Sequence, residues 1–154
     1  MAGVLDNKAP SIERRVNALK TLAKNGWTVG LRFDPLIYCS GWENLYSELI
    51  QDIFTDINID KVHSVSHGPL RFPKEMYKKI TSLYPDDKLF SFPMETKGGI
   101  VSYGTDIEQE MSLFLQSELE KYTTKKKIFR CLVWIGAFRH WKKEKRLSLV
   151  VLAV

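Results

Sequence analysis

The spacing of apolar residues along the chain predicts two amphipathic helices near its start. Between residues 11 and 25 apolar side chains recur every three or four positions, which places them on one face of a helix. Ser11 is a suitable N-cap, and Asn25-Gly26 ends this helix because glycine tolerates a left-handed backbone. A second stripe predicts a helix over residues 42–54, with Leu45 on its buried face.

Two further helices are predicted beyond residue 70. Pro73 suits the first turn of a helix that reaches about residue 84 and is expected to bury Met76, Ile80 and Leu83. The last helix begins at Thr105, and its inward-facing apolar residues are Ile107, Met111, Phe114, Leu115 and Leu119.

A capping box is expected to start that last helix. In such a box the side chains of Thr105 and Glu108 would each cap a backbone amide of the first turn.

Short apolar segments between the helices predict strands. The first spans residues 27–33 and should stop at Asp34-Pro35, since proline has no amide proton for a neighbouring strand. The second spans residues 62–66 and should stop at Gly68-Pro69.

A hairpin and a last strand complete the predicted elements. Residues 89–94 and 100–103 flank Lys97-Gly98-Gly99, and residues 128–134 form the last strand. Alternating helices and strands are typical of βαβ units, which build a parallel sheet. Because parallel sheets are normally several strands wide, the pattern indicates part of a larger α/β fold.

The two central strands are predicted to share a polar face. Side chains alternate along a strand, so Arg32 and Asp34 lie on one face, as do Ser64 and Ser66. Small polar groups favour an interior filled by a ligand, but the same pattern fits a solvent-exposed face or a simple salt bridge.

The two charged residues of this face have suitable ligand chemistry. Arg32 offers a fork of donors for a carboxylate or phosphate. Asp34 suits ribose hydroxyls, because ligands of open α/β sheets lie beyond the carboxyl ends of the strands.

Composition favours a cytoplasmic globular protein. The 154 residues suffice for one domain, with 44% hydrophobic and 27% charged residues. No apolar run reaches the roughly 18–20 residues that a membrane span requires, and the N-terminus lacks the apolar core of a signal peptide. Cys39 and Cys131 are expected to be free thiols of a reducing compartment.

The net charge of +5 is concentrated at one end. Residues 132–154 hold five lysines and arginines against Glu144 alone, so the body of the chain is close to neutral. Affinity for DNA comes largely from counterion release by clustered cations. Any contact with nucleic acid is therefore expected from a local patch.

Common catalytic and metal-binding motifs are absent from the sequence. It contains no glycine-rich phosphate loop and no nucleophile elbow. His63 and His67 are four residues apart, but on a strand and its exit, so we expect structural or surface histidines rather than metal ligands. No catalytic residue and no metal ligand is assigned to this chain.

Several segments, taken in order, resemble one enzyme family. They are residues 26–38 with Gly41-Trp42, residues 63–66 with 68–73, Leu83-Tyr84-Pro85, and Val101-Ser102-Tyr103 followed by residues 108–111. Their order and spacing resemble the spore photoproduct lyase family of radical S-adenosylmethionine enzymes, and its lyase-like branch most. The resemblance covers residues 10–131 and the C-terminal half of the family.

The resemblance implies an α/β fold, namely the C-terminal half of a partial parallel (β/α) barrel with a β-hairpin and a C-terminal helix. In the family, the N-terminal half carries a Cys-x-x-x-Cys-x-x-Cys loop whose thiolates hold a [4Fe–4S] cluster. S-adenosylmethionine binds the fourth iron, and its radical starts the reversal of a thymine dimer in DNA. Because this chain has only two cysteines, we expect it to hold neither cofactor alone and to be inactive by itself.

The resemblance also implies site residues. The expected cofactor-binding residues match late strands of the family: Arg32, Asp34, Ser64 and Ser66. The expected substrate-binding residues lie after the second strand and in the hairpin: Arg71, Lys97 and Tyr103. The hairpin corresponds to a DNA-contacting hairpin of the spore enzyme but is less basic here.

Residues 1–131 are thus expected to form a barrel-like half-domain, and residues 132–154 a tail outside the family pattern. A shifted reading frame is the favoured explanation of the tail, and a basic membrane-surface or partner-binding segment is the alternative. Three functions stay open: an inactive C-terminal part of a lyase-like DNA-repair protein, a stand-alone nucleotide- or DNA-binding half-domain, and one chain of a split enzyme whose partner is the N-terminal half.

Overall fold

The structure is a computed structural model that describes residues 10–131 and 147–152. The helices in these ranges are α1 (Ile12–Lys24), α2 (Trp42–Thr55), α3 (Lys74–Leu83) and α4 (Thr105–Glu120). The strands are β1 (Thr28–Leu36), β2 (Val62–Pro69), β3 (Arg71–Pro73), β4 (Met94–Lys97), β5 (Ile100–Tyr103), β6 (Ile128–Arg130) and β7 (Leu147–Leu152).

The main sheet is parallel, as predicted. Its strand order is β6-β2-β1-β7, and every neighbouring pair runs in the same direction. A second, antiparallel sheet has the order β3-β5-β4. The α/β class is therefore confirmed, and the carboxyl ends of β1, β2 and β6 lie along one edge.

Both central strands run further than predicted. β1 continues through Asp34-Pro35 to Leu36, and β2 continues to Pro69. The register between them shifts after Phe33 and resumes where Leu36 pairs with Pro69. Because regular pairing is interrupted at that step, the missing amide proton of Pro35 does not end the strand.

The hairpin turn is confirmed, but its first strand lies later than predicted. Residues 88–90 form a 3-10 turn, because the side chain of Asp87 accepts the Leu89 amide at 2.9 Å. β4 therefore begins only at Met94. Gly98 and Gly99 have φ values of 55° and 81°, the conformation that a tight two-residue hairpin turn requires.

One apolar core joins α1, α2 and α4 to the main sheet. Its central members come from the face of β1 opposite Arg32 and Asp34, where Val29, Leu31 and Phe33 are fully buried. The prediction for Leu45 is wrong, since this side chain is exposed while its neighbour Tyr46 is buried.

The buried stripe predicted for α3 is also wrong. No residue of α3 is buried, and Leu83 is 72% exposed. The helix lies against the small antiparallel sheet at β3 and β5 instead of covering the main sheet. Its apolar residues therefore have little to pack against.

The predicted tail is described only in part. Its residues 147–152 form β7, which pairs with residues 28–33 of β1. The predicted last strand is confirmed over residues 128–130 as β6. Residue 131 is not part of a strand, and residues 132–134 lie outside the described ranges. Within the described residues, no helix has the length and apolarity needed to cross a membrane.

Two tyrosine hydroxyls hold the segment that follows β1. The hydroxyl of Tyr46 accepts the Ile37 amide at 2.9 Å, and that of Tyr103 accepts the Tyr38 amide at 3.1 Å. Burial raises the pKa of both tyrosines, so the hydroxyls stay protonated. This segment leaves the same sheet edge as the candidate site.

Replacing Tyr46 by phenylalanine should destabilise the fold. The buried Ile37 amide would lose its acceptor, which lowers the free energy of unfolding by about 1–3 kcal/mol. Tyr84→Phe is the matched control, because Tyr84 is 61% exposed. Urea denaturation of both variants measures the difference, and equal stabilities would contradict this role of Tyr46.

Candidate ligand site

Asp34 holds two arginines at the carboxyl end of β1. Its Oδ2 atom lies 2.6 Å from Arg32 Nη2 and 2.9 Å from Arg71 Nη2. The Asp34 side chain is 3% exposed, and those of Arg32 and Arg71 are 12% and 11% exposed. Two largely buried cations thus share one carboxylate.

This arrangement follows from the parallel pairing. Arg32 and Asp34 lie on one face of β1, while Arg71 starts β3 directly after β2. The carboxyl ends of parallel strands coincide, so β2 delivers Arg71 to the carboxylate on β1. The salt-bridge alternative for Arg32 and Asp34 is confirmed, and their contact with a cofactor stays a prediction.

The polar face of β2 is not solvent-exposed. Ser64 and Ser66 are both more than nine-tenths buried. Ser66 Oγ donates to the Leu31 carbonyl at 3.4 Å, and Ser64 Oγ lies 3.1 Å from His63 Nδ1. Their predicted contact with a cofactor also stays a prediction.

A cavity of about 200 Å³ lies beside this cluster, between the main sheet edge and the hairpin. All three residues predicted to bind substrate line it: Arg71, Lys97 and Tyr103. Its other lining residues are Pro69, Glu95, Ile100, Ser102, Glu108, Arg130 and Cys131. The structure therefore brings the predicted substrate residues to one place.

Two cations of the cavity are paired with carboxylates. Lys97 Nζ lies 2.7 Å from Glu95 Oε2, and Arg130 Nη2 forms an ion pair with Glu108 Oε2. These contacts replace the predicted capping box, which is wrong. The N-cap of α4 is Gly104, without a side-chain bond, and the Thr105 hydroxyl contacts Lys97 Nζ.

Tyr103 and Ser102 line the cavity, but their hydroxyl groups already form hydrogen bonds within the protein. The Tyr103 hydroxyl is used by the Tyr38 amide, and its ring is almost fully buried. Ser102 Oγ donates to the Leu70 carbonyl at 2.8 Å. Of the predicted substrate residues, Arg71 and Lys97 therefore carry the charge that faces a ligand.

Arg71 has a donor without an acceptor. Its Nε atom is buried and has no hydrogen-bond partner within residues 10–131 or elsewhere in the described chain. A buried donor in this state costs about 1–3 kcal/mol of stability. A ligand acceptor at this position would remove that cost.

Gly68 allows the Arg71 side chain to lie where it does. A Cβ atom at position 68 would stand 2.6 Å from Arg71 Nη1 and 3.1 Å from the Cys131 carbonyl oxygen. Any side chain there would push the guanidinium aside. Gly68, Arg130 and Glu108 were not predicted as site residues.

His67 is buried where β2 pairs with β6. Its ring is almost fully inaccessible, and its register partner is Arg130. Burial, and then the positive charge of Arg130, lower the pKa of His67 to about 4. His63, by contrast, is exposed.

The residues present do not fit an iron–sulfur cluster. The cluster that the resemblance implies is held by three thiolates of one loop, and this chain has two cysteines. Cys39 follows β1, and Cys131 is buried with its Sγ atom 3.4 Å from Arg32 Nη2. Among the residues that the structure describes, no three histidine, cysteine or acidic side chains converge as metal ligands would.

Fold and site together define a parallel α/β domain with a charged cavity at the carboxyl ends of its strands. No protein-family model matches the chain, and no curated protein matches it. Solved structures of spore photoproduct lyase share the fold. A cysteine-to-alanine mutant superposes with a TM-score of 0.62 at 19% identity, over 80% of this chain and 38% of that chain.

Two further lyase structures match over the same shares of both chains, each with a TM-score of 0.58 and 19% identity. One is a double mutant with bound AdoMet and dinucleoside spore photoproduct, and the other is complexed with the dinucleoside photoproduct. At these identities the similarity establishes the fold, which confirms the expected resemblance. The chain spans 38% of the length of these lyases.

Removing the Asp34 carboxylate should strongly destabilise the protein. Asp34→Asn leaves Arg32 and Arg71 buried without a counter-ion, so we expect the free energy of unfolding to fall by about 3–5 kcal/mol. Asp86→Asn, at an exposed turn residue, is the control. Denaturant titration compares the two, and a similar small effect of both would argue against the charge cluster.

Acidification should destabilise the fold through His67. The unfolded state takes up a proton near pKa 6.5 and the folded state only near 4, so stability is full above pH 6.5 and falls as pH drops toward 4. From about pH 7.5 to about pH 5 the loss should be roughly 2 kcal/mol.

His67→Gln is the variant that tests this pH dependence. It should flatten the fall in unfolding free energy across that range, measured by denaturant titration at each pH. His63→Gln is the control, since His63 is exposed. If His67→Gln kept the full slope, the effect would belong to other groups.

Proposed function

We propose that this chain is the substrate-side part of a radical S-adenosylmethionine lyase-like protein that repairs DNA photoproducts. It would correspond to the C-terminal half of a partial parallel barrel, with residues 132–154 as a tail outside the family pattern. The observation that carries the proposal is a cavity lined by Arg71, Lys97 and Tyr103 together. The fold it belongs to is shared with lyases that hold a dinucleoside photoproduct.

In this proposal the chain binds and orients but supplies no catalytic residue. Arg32, Asp34, Ser64 and Ser66 form the cofactor side, and the cavity receives the photoproduct. S-adenosylmethionine and a [4Fe–4S] cluster would supply the radical chemistry in the complete protein. The cluster needs a three-cysteine loop from another polypeptide segment, such as a partner N-terminal half.

The near-neutral cavity supports a small ligand rather than a long stretch of DNA. Lys97 and Arg130 are each paired with a glutamate. A surface that gains affinity by releasing many counterions would need unpaired cations. Contact with DNA would then be confined to the lesion.

A second function is a stand-alone nucleotide-binding module without chemistry. The pairing of β7 with the outer edge of β1 favours it. That edge would otherwise be open to another strand. The two functions share the cavity and differ in whether a second chain restores activity.

Binding of a dinucleoside spore photoproduct tests the shared part of the proposal. We expect the full chain to bind it more tightly than undamaged thymidine, as measured by calorimetry. Ser102→Leu should weaken binding at least about tenfold, or ~1.4 kcal/mol, because the larger side chain fills the cavity. Ser117→Leu, on the exposed side of α4, is the matched control.

Two outcomes separate the possibilities. Equal affinity for damaged and undamaged nucleosides would contradict a photoproduct site. Anaerobic addition of iron and sulfide should leave the chain alone without a [4Fe–4S] spectrum, whereas a mixture with an N-terminal half bearing the three-cysteine loop should gain one and repair the photoproduct. A cluster on the isolated chain would contradict the proposal.

A further inference from the structure

We infer that the surplus guanidinium charge around Asp34 forms a binding site for one phosphodiester, with Arg71 as the donor. The identity of the ligand rests on the proposed function, while the anion site itself rests on the charges. Arg32 and Arg71 share a single Asp34 oxygen, and all three side chains are close to nine-tenths buried or more. One carboxylate neutralises only one of the two cations.

The other charges around the cavity cancel each other. Glu95 faces Lys97, and Glu108 faces Arg130. The site as a whole therefore retains the one positive charge of the Asp34 cluster. The two glutamates also disfavour a doubly charged ligand, so the match is to a monoanion.

A phosphodiester has this charge. It carries one negative charge at neutral pH, and either of its two free oxygens can accept a charge-assisted hydrogen bond from an arginine N–H group. A cavity of about 200 Å³ has room for the phosphate group and part of the attached sugars. The link between two nucleosides of a dinucleotide is such a group.

The hydrogen bonds of Arg71 indicate which of its atoms would contact the ligand. Its Nη2 atom is taken by Asp34, and Nη1 lies 3.5 Å from the Pro69 carbonyl oxygen. Nε is buried with no acceptor in the part of the chain that the structure describes. A ligand oxygen would complete the hydrogen bonds of this side chain.

Asp34 and Gly68 are positioning residues in this arrangement. Asp34 fixes one end of the guanidinium, and Gly68 leaves the space that it occupies. Gly68→Ala should displace Arg71 without changing the charge of the site. A loss of binding in this variant would therefore come from the changed position of the donor, since the charge is the same.

The test compares two forms of the same photoproduct, the neutral dinucleoside and the dinucleotide with its bridging phosphodiester. We expect the phosphodiester to tighten binding to the full chain by about tenfold or more, the usual effect of a charge-assisted hydrogen bond. Arg71→Gln and Gly68→Ala should abolish this gain. Lys126→Gln removes an equal charge from an exposed turn and should keep the gain.

Dimethyl phosphate gives an independent readout of the anion site. Its addition should shift the NMR signal of the Arg71 Nε–H group in the full chain, and less in Gly68→Ala. Circular dichroism checks that each variant is folded. Because Asp34 keeps Arg32 as a partner, Arg71→Gln is expected to fold.

The outcomes distinguish the anion site from the proposed function. If the dinucleoside binds but the phosphodiester adds nothing, or if Arg71→Gln keeps the gain, the anion site is refuted and the proposed function stands. If dimethyl phosphate shifts the Arg71 signal but neither photoproduct binds, the anion site is supported and the proposed function fails.

Discussion

The parallel pairing of β1 with β2 is the constraint on which the candidate site depends. It brings the carboxyl ends of both strands to one edge, so Arg71 meets Asp34 although 37 residues separate them. The pairing of β6 with β2 adds Cys131 at the same edge, 99 residues from its contact Arg32. Three distant segments thus supply one cluster, and a slip of either pairing would take it apart.

The net contribution of the charge cluster to stability is expected to be small, which supports its proposed role in binding. Buried ion pairs contribute little net stability, because the cost of removing charges from water offsets most of their attraction. A cluster with two cations and one carboxylate is less favourable than a simple ion pair, because one positive charge is not neutralised. The fold also has a hydrophobic core that includes Leu31 and Phe33. The charge cluster lies at the carboxyl ends of the parallel strands, where ligands of open α/β sheets bind, as the proposed function requires.

Periodicity along the sequence predicted most elements, because local spacing decides which face of a helix or strand is apolar. It failed where the partner surface decides the outcome. The stripe on α3 is helical as predicted, but Leu83 stays exposed since the helix packs on the small sheet. Likewise, Thr105 and Glu108 fit a capping box locally, but Lys97 and Arg130 compete for their side chains. The positions of Arg32 and Asp34 were predictable from strand alternation, whereas the role of Gly68 depends on a side chain that only the fold places there.

The position of β7 has a kinetic consequence. It pairs with β1 over six residues, along an edge of β1 that another parallel strand could otherwise join. A chain that adds a strand there must wait until β7 leaves. At high partner concentration, the observed association rate would then level off at the rate of that opening and cease to depend on collision. The rate of assembly at this edge would then be limited by the rate at which the six paired residues of β7 separate from β1.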